Sequence, residues 1–342
     1  MLIAIPKEIT PNETRVALSP KHVAHFSARG YHINIEDNAG LHAGFSNEQY
    51  LKAGASICKT AQQTYAHADL ILKIWAPLEQ EIQYLSSKST IICNTQNLKN
   101  NHQLKTFSRH RINIFALDLI PRISRAQNMD ILSSQDTLSG YESVILGASC
   151  SSQIMPLLMT AAGTIPPMKV LIIGLGVAGL QAAATAHRIG AQVYAFDKRP
   201  ETQEQTASIG AIFIEKLTTE LLSTFNLITT SAQIRGKTAP KVLSDKQYKH
   251  LNPSCVIIDM AIDSGGNIDK HKLPPTVKLI QDSHLSRHIP HSASTLYSEN
   301  MFNFCQFLIK ENKIQPDFND EIIEKTAICW QGQIHHPYLT GQ

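Results

Sequence analysis

What the chain lacks narrows the field first. Its six cysteines, Cys58, Cys93, Cys150, Cys255, Cys305 and Cys329, never fall into a CxxC spacing, and most have apolar neighbours. They read as reduced core thiols of a cytoplasmic protein, and a disulfide-stapled mini-protein is excluded. Net charge is also scarce: 31 Lys+Arg against 28 Asp+Glu leave +3, with no dense basic stripe. A nucleic-acid partner is therefore not expected. Long clean hydrophobic runs are missing too. The longest apolar tract, Val170 to Ala186, is broken by Gly174, Gly176 and Gly179 and starts like a strand, which argues against a membrane span. The opening MLIAIPKEIT has neither a basic lead nor an adequate apolar core for a signal peptide and reads as a first strand. There is no internal repeat and no low-complexity segment.

What is present is the material of a folded two-lobed protein: 342 residues, 43% hydrophobic and 17% charged. Leu2–Ile5 and His32–Glu36 read as strands. Pro20–Arg29 reads as a helix with Ser19 as N-cap and Pro20 at its first position, stopped by Gly30. Ser46 caps Asn47–Ala53, and Leu70–Ile74, Thr90–Cys93 and Ile112–Leu117 are further short apolar runs. This βαβ rhythm implies a mostly parallel sheet covered by helices. Arg125 to Ala162 reads as one or two long connecting helices, closed by Gly163 and Pro166-Pro167. A second βαβ series follows, beginning with the strand Lys169–Ile173, and Ala293–Lys310 reads as a second long helix. The expectation is an α/β protein of two Rossmann-like lobes with parallel sheets, joined by two long helices and holding a nucleotide cleft between them. The expected domains are residues 1–125 plus 311–342, and residues 126–310.

The strongest local signal is Gly174-Leu175-Gly176-Val177-Ala178-Gly179, which follows an apolar strand and opens a helix of small residues. In that setting Gly174 permits a tight turn, Gly176 lets backbone approach a pyrophosphate, and Gly179 allows close helix–strand packing. The helix N-terminus adds free N–H groups and partial positive charge. Asp197, eighteen residues after Gly179 (197 − 179), ends the next strand. A carboxylate there accepts hydrogen bonds from ribose hydroxyls and favours NAD over NADP, while the adjacent Lys198 and Arg199 could accommodate a 2′-phosphate.

A second signal is Pro121 to Ser134, PRISRAQNMDILSS, which packs two guanidiniums, an amide, a carboxylate and hydroxyls beside a helix start. Such a set suits gripping a ribose, a phosphate or a carboxamide. It equally suits a solvated helix N-terminus capped by Ser124, and composition leaves both open.

This loop resembles the nucleotide-contacting loop of the NAD(H)-binding alpha subunit of proton-translocating NAD(P) transhydrogenases, in the alanine dehydrogenase/transhydrogenase family. The resemblance covers nearly the whole chain. It extends to Asn12-Glu13-Thr14-Arg15-Val16-Ala17, Gly174 to Leu180, Gly236 to Lys241, Asp259-Met260-Ala261 with Gly265-Gly266-Asn267, and His336 to Gln342. It implies a dimer that binds NADH and passes hydride to NADP⁺ held by a separate beta subunit, with a membrane-spanning component coupling transfer to proton movement. The location implied is cytoplasmic, peripheral on the inner membrane through those partners. Carried over by position, Arg122, Gln127, Asp130 and Ser133 would fix the nicotinamide end, with Ile123 and Ser124 also contacting the cofactor. Gly174, Gly176, Val177, Ala178 and Gly179 would hold the pyrophosphate, and Asp197, Lys198 and Arg199 would surround the adenosine ribose. Hydride transfer between two nicotinamides needs no side-chain acid or base, which fits the lack of an obvious catalytic dyad.

The chain departs from that pattern in two places. Family members carry a longer insertion between the equivalents of Ile214 and Asn226, which forms a mobile lid; here only the eleven residues Glu215 to Phe225 stand there. His284, Arg287 and His288 occupy a segment the family fills differently. The alternatives are an alanine dehydrogenase-like enzyme and a non-catalytic NAD(H)-binding relative. The dehydrogenase reading is favoured by Arg15, Asp263 and Asn300. Against it, Trp75 stands where the substrate-binding lysine is expected, and Ile91 to Gln96 offers no histidine as a base. A metal site is not expected. His284, His288 and His291 are the best cluster, but Pro290 breaks their spacing and nothing completes a tetrahedral set. His335-His336 is a poor chelate, and Asp263 is left without an assigned role.

Overall fold

The computed structural model describes residues 1–96, 98, 101–234 and 237–335. They fall into two compact units: Met1–Ser134 together with the segment that begins at Ile289, and Gln135–His288. The first unit begins with β1 (Leu2–Ile5), β2 (His32–Glu36), β3 (Ser56–Cys58), β4 (Leu70–Trp75), β5 (Thr90–Asn94) and β6 (Asn113–Ala116). The second opens with a small hairpin, β7 (Leu158–Thr160) and β8 (Gly163–Ile165). It continues with β9 (Lys169–Ile173), β10 (Gln192–Phe196), β11 (Ile212–Phe213), β12 (Leu227–Thr230), β13 (Val256–Asp259) and β14 (Lys278–Gln281). The chain then returns to the first unit through β15 (Ile309–Lys310), β16 (Lys313–Ile314), β17 (Ala327–Trp330) and β18 (Gln333–Ile334).

The large sheet of the first unit has the order β18-β17-β6-β5-β4-β1-β2-β3, parallel except where β17 joins β6 and β18. The second unit's sheet, β11-β10-β9-β12-β13-β14, is parallel throughout. Numbered within its own unit, each βαβ series has the strand order 3-2-1-4-5-6 of a Rossmann sheet. Every residue of β4, β5, β12 and β13 is buried, as expected of strands with helices on both faces.

The local signals act where the sequence places them. Ser46 accepts from Gln49 N while Gln49 reaches back, a complete capping box, and Gly30 and Gly54 end their helices at φ +81° and +95°. The long helices are Ile131–Cys150 and Pro290–Leu308. The first stops well short of Ala162. Four residues rich in serine, Ser149 to Ser152, compete for backbone bonds, and Pro156 follows. Beyond them lies the β7–β8 hairpin instead of more helix, turning through Gly163 at φ +137°. The second helix belongs to the first unit, outside the expected boundary at 310. Its Tyr297, Met301, Phe304, Cys305 and Leu308 join the core of β1, β2 and β4. Ser124 likewise begins a short 3-10 turn, Ser124–Met129, and caps nothing by its side chain.

The first unit also buries an ionic group beside β4. Lys73 Nζ stands 2.9 Å from Glu81 Oε1 and 3.2 Å from Glu8 Oε2, and all three side chains are almost fully covered. Glu8 Oε1 accepts from Ile74 N at 2.6 Å, whereas Oε2 has no hydrogen-bond partner, so the ion pair with Lys73 is its one compensation. Burial pushes the Glu8 carboxyl up from its ordinary 4.5 to about 7, against the opposing pull of Lys73. A carboxyl that keeps its proton to higher pH when folded makes stability fall as pH rises through that interval. Glu8→Gln should therefore flatten the decline in stability between about pH 5 and pH 8, read as urea midpoints. A variant that keeps the wild-type slope would exclude Glu8 as its source.

Candidate functional site

The glycine turn after β9 is built by steric necessity at two of its three glycines. Gly174 has φ +91°, and a Cβ on it would lie 2.7 Å from Ala232 N. Only glycine accepts both that backbone and that contact. A Cβ on Gly179 would lie 1.8 Å from the Gly174 carbonyl oxygen, so the helix Val177–Arg188 can dock on β9 only with glycine there. Gly176 is different. It has an ordinary φ of −77°, and a Cβ on it would meet no atom within 4 Å. Neither backbone nor packing demands glycine at this position, whereas a ligand oxygen approaching the main chain would. Gly176 is the N-cap and no side chain bonds to the first turn, so its backbone N–H groups remain for an anion. This fits a dinucleotide pyrophosphate.

Asp197 follows β10, the strand paired with β9 in register. Its Oδ2 accepts from Leu175 N at 2.7 Å, which ties the turn to the acid. Arg199 grips the same carboxylate through Nε at 3.0 Å and Nη2 at 2.9 Å. Burial acts to raise the Asp197 carboxyl, but Arg199 and the N–H donors outweigh it and hold it below its ordinary range. Arg199 thus spends its charge on Asp197, which leaves it less suited to a 2′-phosphate.

Arg122, Ser124 and Gln127 are exposed in the first unit, with Ile123 partly covered. Asp130 caps the helix Ile131–Cys150: Oδ1 accepts from Ser133 N at 3.0 Å and Oδ2 from Ser133 Oγ at 2.5 Å. Arg125, by contrast, is paired with Asp320. Asn300 fixes this stretch from the helix Pro290–Leu308, donating to Asn128 O at 2.9 Å and meeting Ser134 Oγ at 2.7 Å. The sequence marks Asn300 as a dehydrogenase counterpart; in the structure it holds the loop in place.

The substrate arginine of the dehydrogenase reading is spoken for. Arg15 is buried and forms a bidentate pair with Glu13, Nε–Oε1 2.8 Å and Nη2–Oε2 2.7 Å. Trp75 Nε1 donates to the same carboxylate at 2.7 Å. Burial favours the neutral acid, yet Arg15 pulls the Glu13 carboxyl down to about 2, so the pair is charge-balanced without a substrate carboxylate.

The histidines find separate partners. His284 Nε2 lies 2.7 Å from Asp263 Oδ2, and His288 lies near Glu142 and Asp282. His291 Nδ1, in the first unit, lies 2.9 Å from Ala43 O. The pairing of His284 with Asp263 carried no sequence signal, because it joins loops after two different strands. Gly236 and His336 to Gln342, which belong to the resembling motifs, lie outside the described residues. The stretch Glu215 to Phe225 is the crossover from β11 to β12. Leu217, Leu222 and Phe225 are buried in the core, and a short helix, Thr219–Leu222, is capped by Thr218.

Comparison with known proteins bears on this arrangement. The model of the alanine dehydrogenase/PNT N-terminal domain matches residues 4–139, and that of the alanine dehydrogenase/PNT C-terminal domain matches residues 143–337. An NAD(P) transhydrogenase subunit alpha polypeptide of Rhodospirillum rubrum is 36% identical over 383 aligned positions, covering all of both chains. A crystal structure of transhydrogenase from Sinorhizobium meliloti superposes with a TM-score of 0.91 at 36% identity, over 99% of this chain and 100% of that one. An L-alanine dehydrogenase shares the fold at TM-score 0.86 and 22% identity, over 100% and 98% of the two chains. The chain belongs to the alanine dehydrogenase/PNT family, and within it to the NAD(P) transhydrogenase alpha subunits.

Proposed function

We propose that this protein is the NAD(H)-binding component of a proton-translocating transhydrogenase, passing hydride from NADH to NADP⁺ held on a partner beta subunit. The observation that carries the reading is Gly176, a glycine that the fold itself does not require, at the bare N-terminus of a helix. The pyrophosphate binds to the turn Gly174 to Gly179, with Val177 and Ala178 supplying backbone N–H groups. Asp197 takes the adenosine ribose, flanked by Lys198 and Arg199. Arg122, Gln127, Asp130 and Ser133, with Ile123 and Ser124, form the nicotinamide-side grip. The cofactor supplies the hydride; these residues orient it and keep water away. No metal takes part in this scheme. The buried Arg15–Glu13 pair and Trp75 speak against amino-acid oxidation as the second reading.

The complex we propose includes a membrane-spanning proton channel subunit, which would make this chain peripheral. No helix among the described residues is long and apolar enough to cross a membrane. The protein acts as a homodimer in this proposal. The exposed β7–β8 hairpin supports this: Leu157, Leu158, Met159 and Ile165 are all exposed, Met159 at 73%, and no charged residue occurs from Ser143 to Met168. Uncharged apolar strands with open edges suit pairing with an identical copy.

Asp197→Ala should relax the preference for NADH over NADPH, measured as the ratio of dissociation constants. Gln127→Ala should cut hydride transfer in stopped flow, with the partner subunits present, far more than it weakens NADH binding. An unchanged transfer rate would remove the loop from the mechanism, and rapid NADH formation from alanine and NAD⁺ would overturn the reading altogether. Replacing both Leu158 and Met159 by Asp should give monomers in light scattering at concentrations where the wild type is dimeric.

A further inference from the structure

Among the described residues, the charged pair at the strand ends that the proposed function leaves unused is Asp263 with His284. Asp263 sits in the 3-10 turn Ile262–Ser264 just after β13, and His284 lies in the loop just after β14. Because Asp259 and Gln281 are paired in register at the ends of those strands, the two loops leave the sheet side by side. His284 Nε2 stands 2.7 Å from Asp263 Oδ2, and Ser283 Oγ accepts from Asp263 N at 3.0 Å. The Asp263 side chain is 63% exposed, so its charge faces outward.

The scaffold beneath this pair is rigid. The fully buried Asp259 carboxylate accepts from the N–H groups of Ala261, Asn267 and Ile268 at 2.9–3.1 Å. It lies so close to the turn that a Cβ on Gly266 would come within 2.9 Å of it. On the other side His284 N donates to Asp282 Oδ1 at 2.8 Å. The pair is held where the sheet places it.

That place has a consequence. In the order β11-β10-β9-β12-β13-β14, Asp197 follows β10 on one side of the glycine turn, and Asp263 and His284 follow β13 and β14 on the other. A dinucleotide laid across the strand ends, with its adenosine on the β10 side, directs its nicotinamide half toward the opposite strands. We infer that Asp263 and His284 together set the charge presented to the nicotinamide half, and so make the choice between NAD⁺ and NADH depend on pH. This inference rests on the NAD(H) reading above.

With imidazole neutral the pair carries one negative charge, which favours the cationic ring of NAD⁺ over the neutral ring of NADH. With imidazole protonated the pair is neutral and that preference is lost. Histidine is the side chain whose charge ordinarily changes between about pH 5 and 8. The other charged groups around the pair are balanced or distant in role. Arg287 is paired with Asp282 at 2.9 Å, and Lys241 is spent on the carbonyls of Gly265 and Gly266 at 2.7 Å. Asp259 faces inward, toward backbone donors. The second imidazole, His288, lies 3.6 Å from Glu142 and 3.4 Å from Asp282, so it is the control for titration nearby.

The test is the ratio of NADH to NAD⁺ dissociation constants, measured calorimetrically on the full chain from about pH 5.5 to 8.5. In the wild type the preference for NAD⁺ should fall about three- to tenfold as pH drops, the size expected for one charge felt through partly solvated surface. His284→Gln should hold the ratio at its alkaline value throughout. Asp263→Asn should bring the alkaline ratio down to the wild-type acidic one. His288→Gln should behave as wild type. A pH-independent wild-type ratio, a pH dependence that survives His284→Gln, or one abolished by His288→Gln overturns the inference while leaving nucleotide binding intact. A wild-type protein that binds neither nucleotide overturns the NAD(H) reading and this inference with it.

Discussion

The second unit is organised by one contact, the Gly174 carbonyl oxygen against the α-carbon of Gly179. The oxygen would lie 1.8 Å from any Cβ there, so the absence of a side chain is what lets the helix Val177–Arg188 lie directly on β9. Several other features follow from that approach. Ser231 Oγ donates to the same Gly174 oxygen at 3.0 Å, which fixes the end of β12 beside the turn. Leu175 N is turned toward Asp197, which links the turn to the next strand. The helix Ile131–Cys150 reaches this helix through Gly140, where a Cβ would lie 2.1 Å from Ala178 O. A steric rule at one position thus determines where a bare helix N-terminus stands and which acid stands beside it.

Buried charge is handled differently in the two units. Beside β4, Lys73 answers Glu8 and Glu81, and Arg15 answers Glu13; each buried carboxylate has a cation and stays inside for that reason. Below the Asp263 turn, Asp259 is compensated by backbone N–H groups and the Thr230 hydroxyl instead of by a cation. Backbone donors fix the loop itself as well as balancing the charge, because each bond ties a main-chain atom to the sheet. The first arrangement closes a region off from substrates, and the second presents a rigid rim of loops at the strand ends. This contrast is why the first unit's ionic cluster supports structure while the loops of the second unit are suited to recognition.

The eleven residues from Glu215 to Phe225 carry another lesson. The alignment with the R. rubrum relative spans 383 positions against 342 residues here, so 41 of them (383 − 342) hold no residue of this chain. What remains between β11 and β12 is an ordinary crossover whose apolar side chains are packed into the core. Gln247 Nε2 donates to Leu217 O at 2.6 Å, which binds the crossover further to the unit. Residues so fully engaged in packing are unavailable to close over a ligand, so water exclusion in this protein falls to the rest of the site or to its partners.

Much of this was readable in the chain itself. The glycine spacing after an apolar strand, the acid at the end of the next strand, the capping box at Ser46 and the βαβ rhythm all depend on short-range sterics and hydrogen bonding, which a linear sequence records. The extent of the helix before Pro156 and the unit to which Pro290–Leu308 belongs were not readable, since both turn on which distant surfaces bury an apolar face. The same holds for Arg199 folding onto Asp197, for Arg15 being consumed by Glu13 and Trp75, and for His284 meeting Asp263. Short-range order along the chain determined the kind of fold and the place of the nucleotide turn. Which charges remain free to act was decided only when separate strands came side by side, because electrostatic pairing depends on distance in space and a sequence carries only distance along the chain.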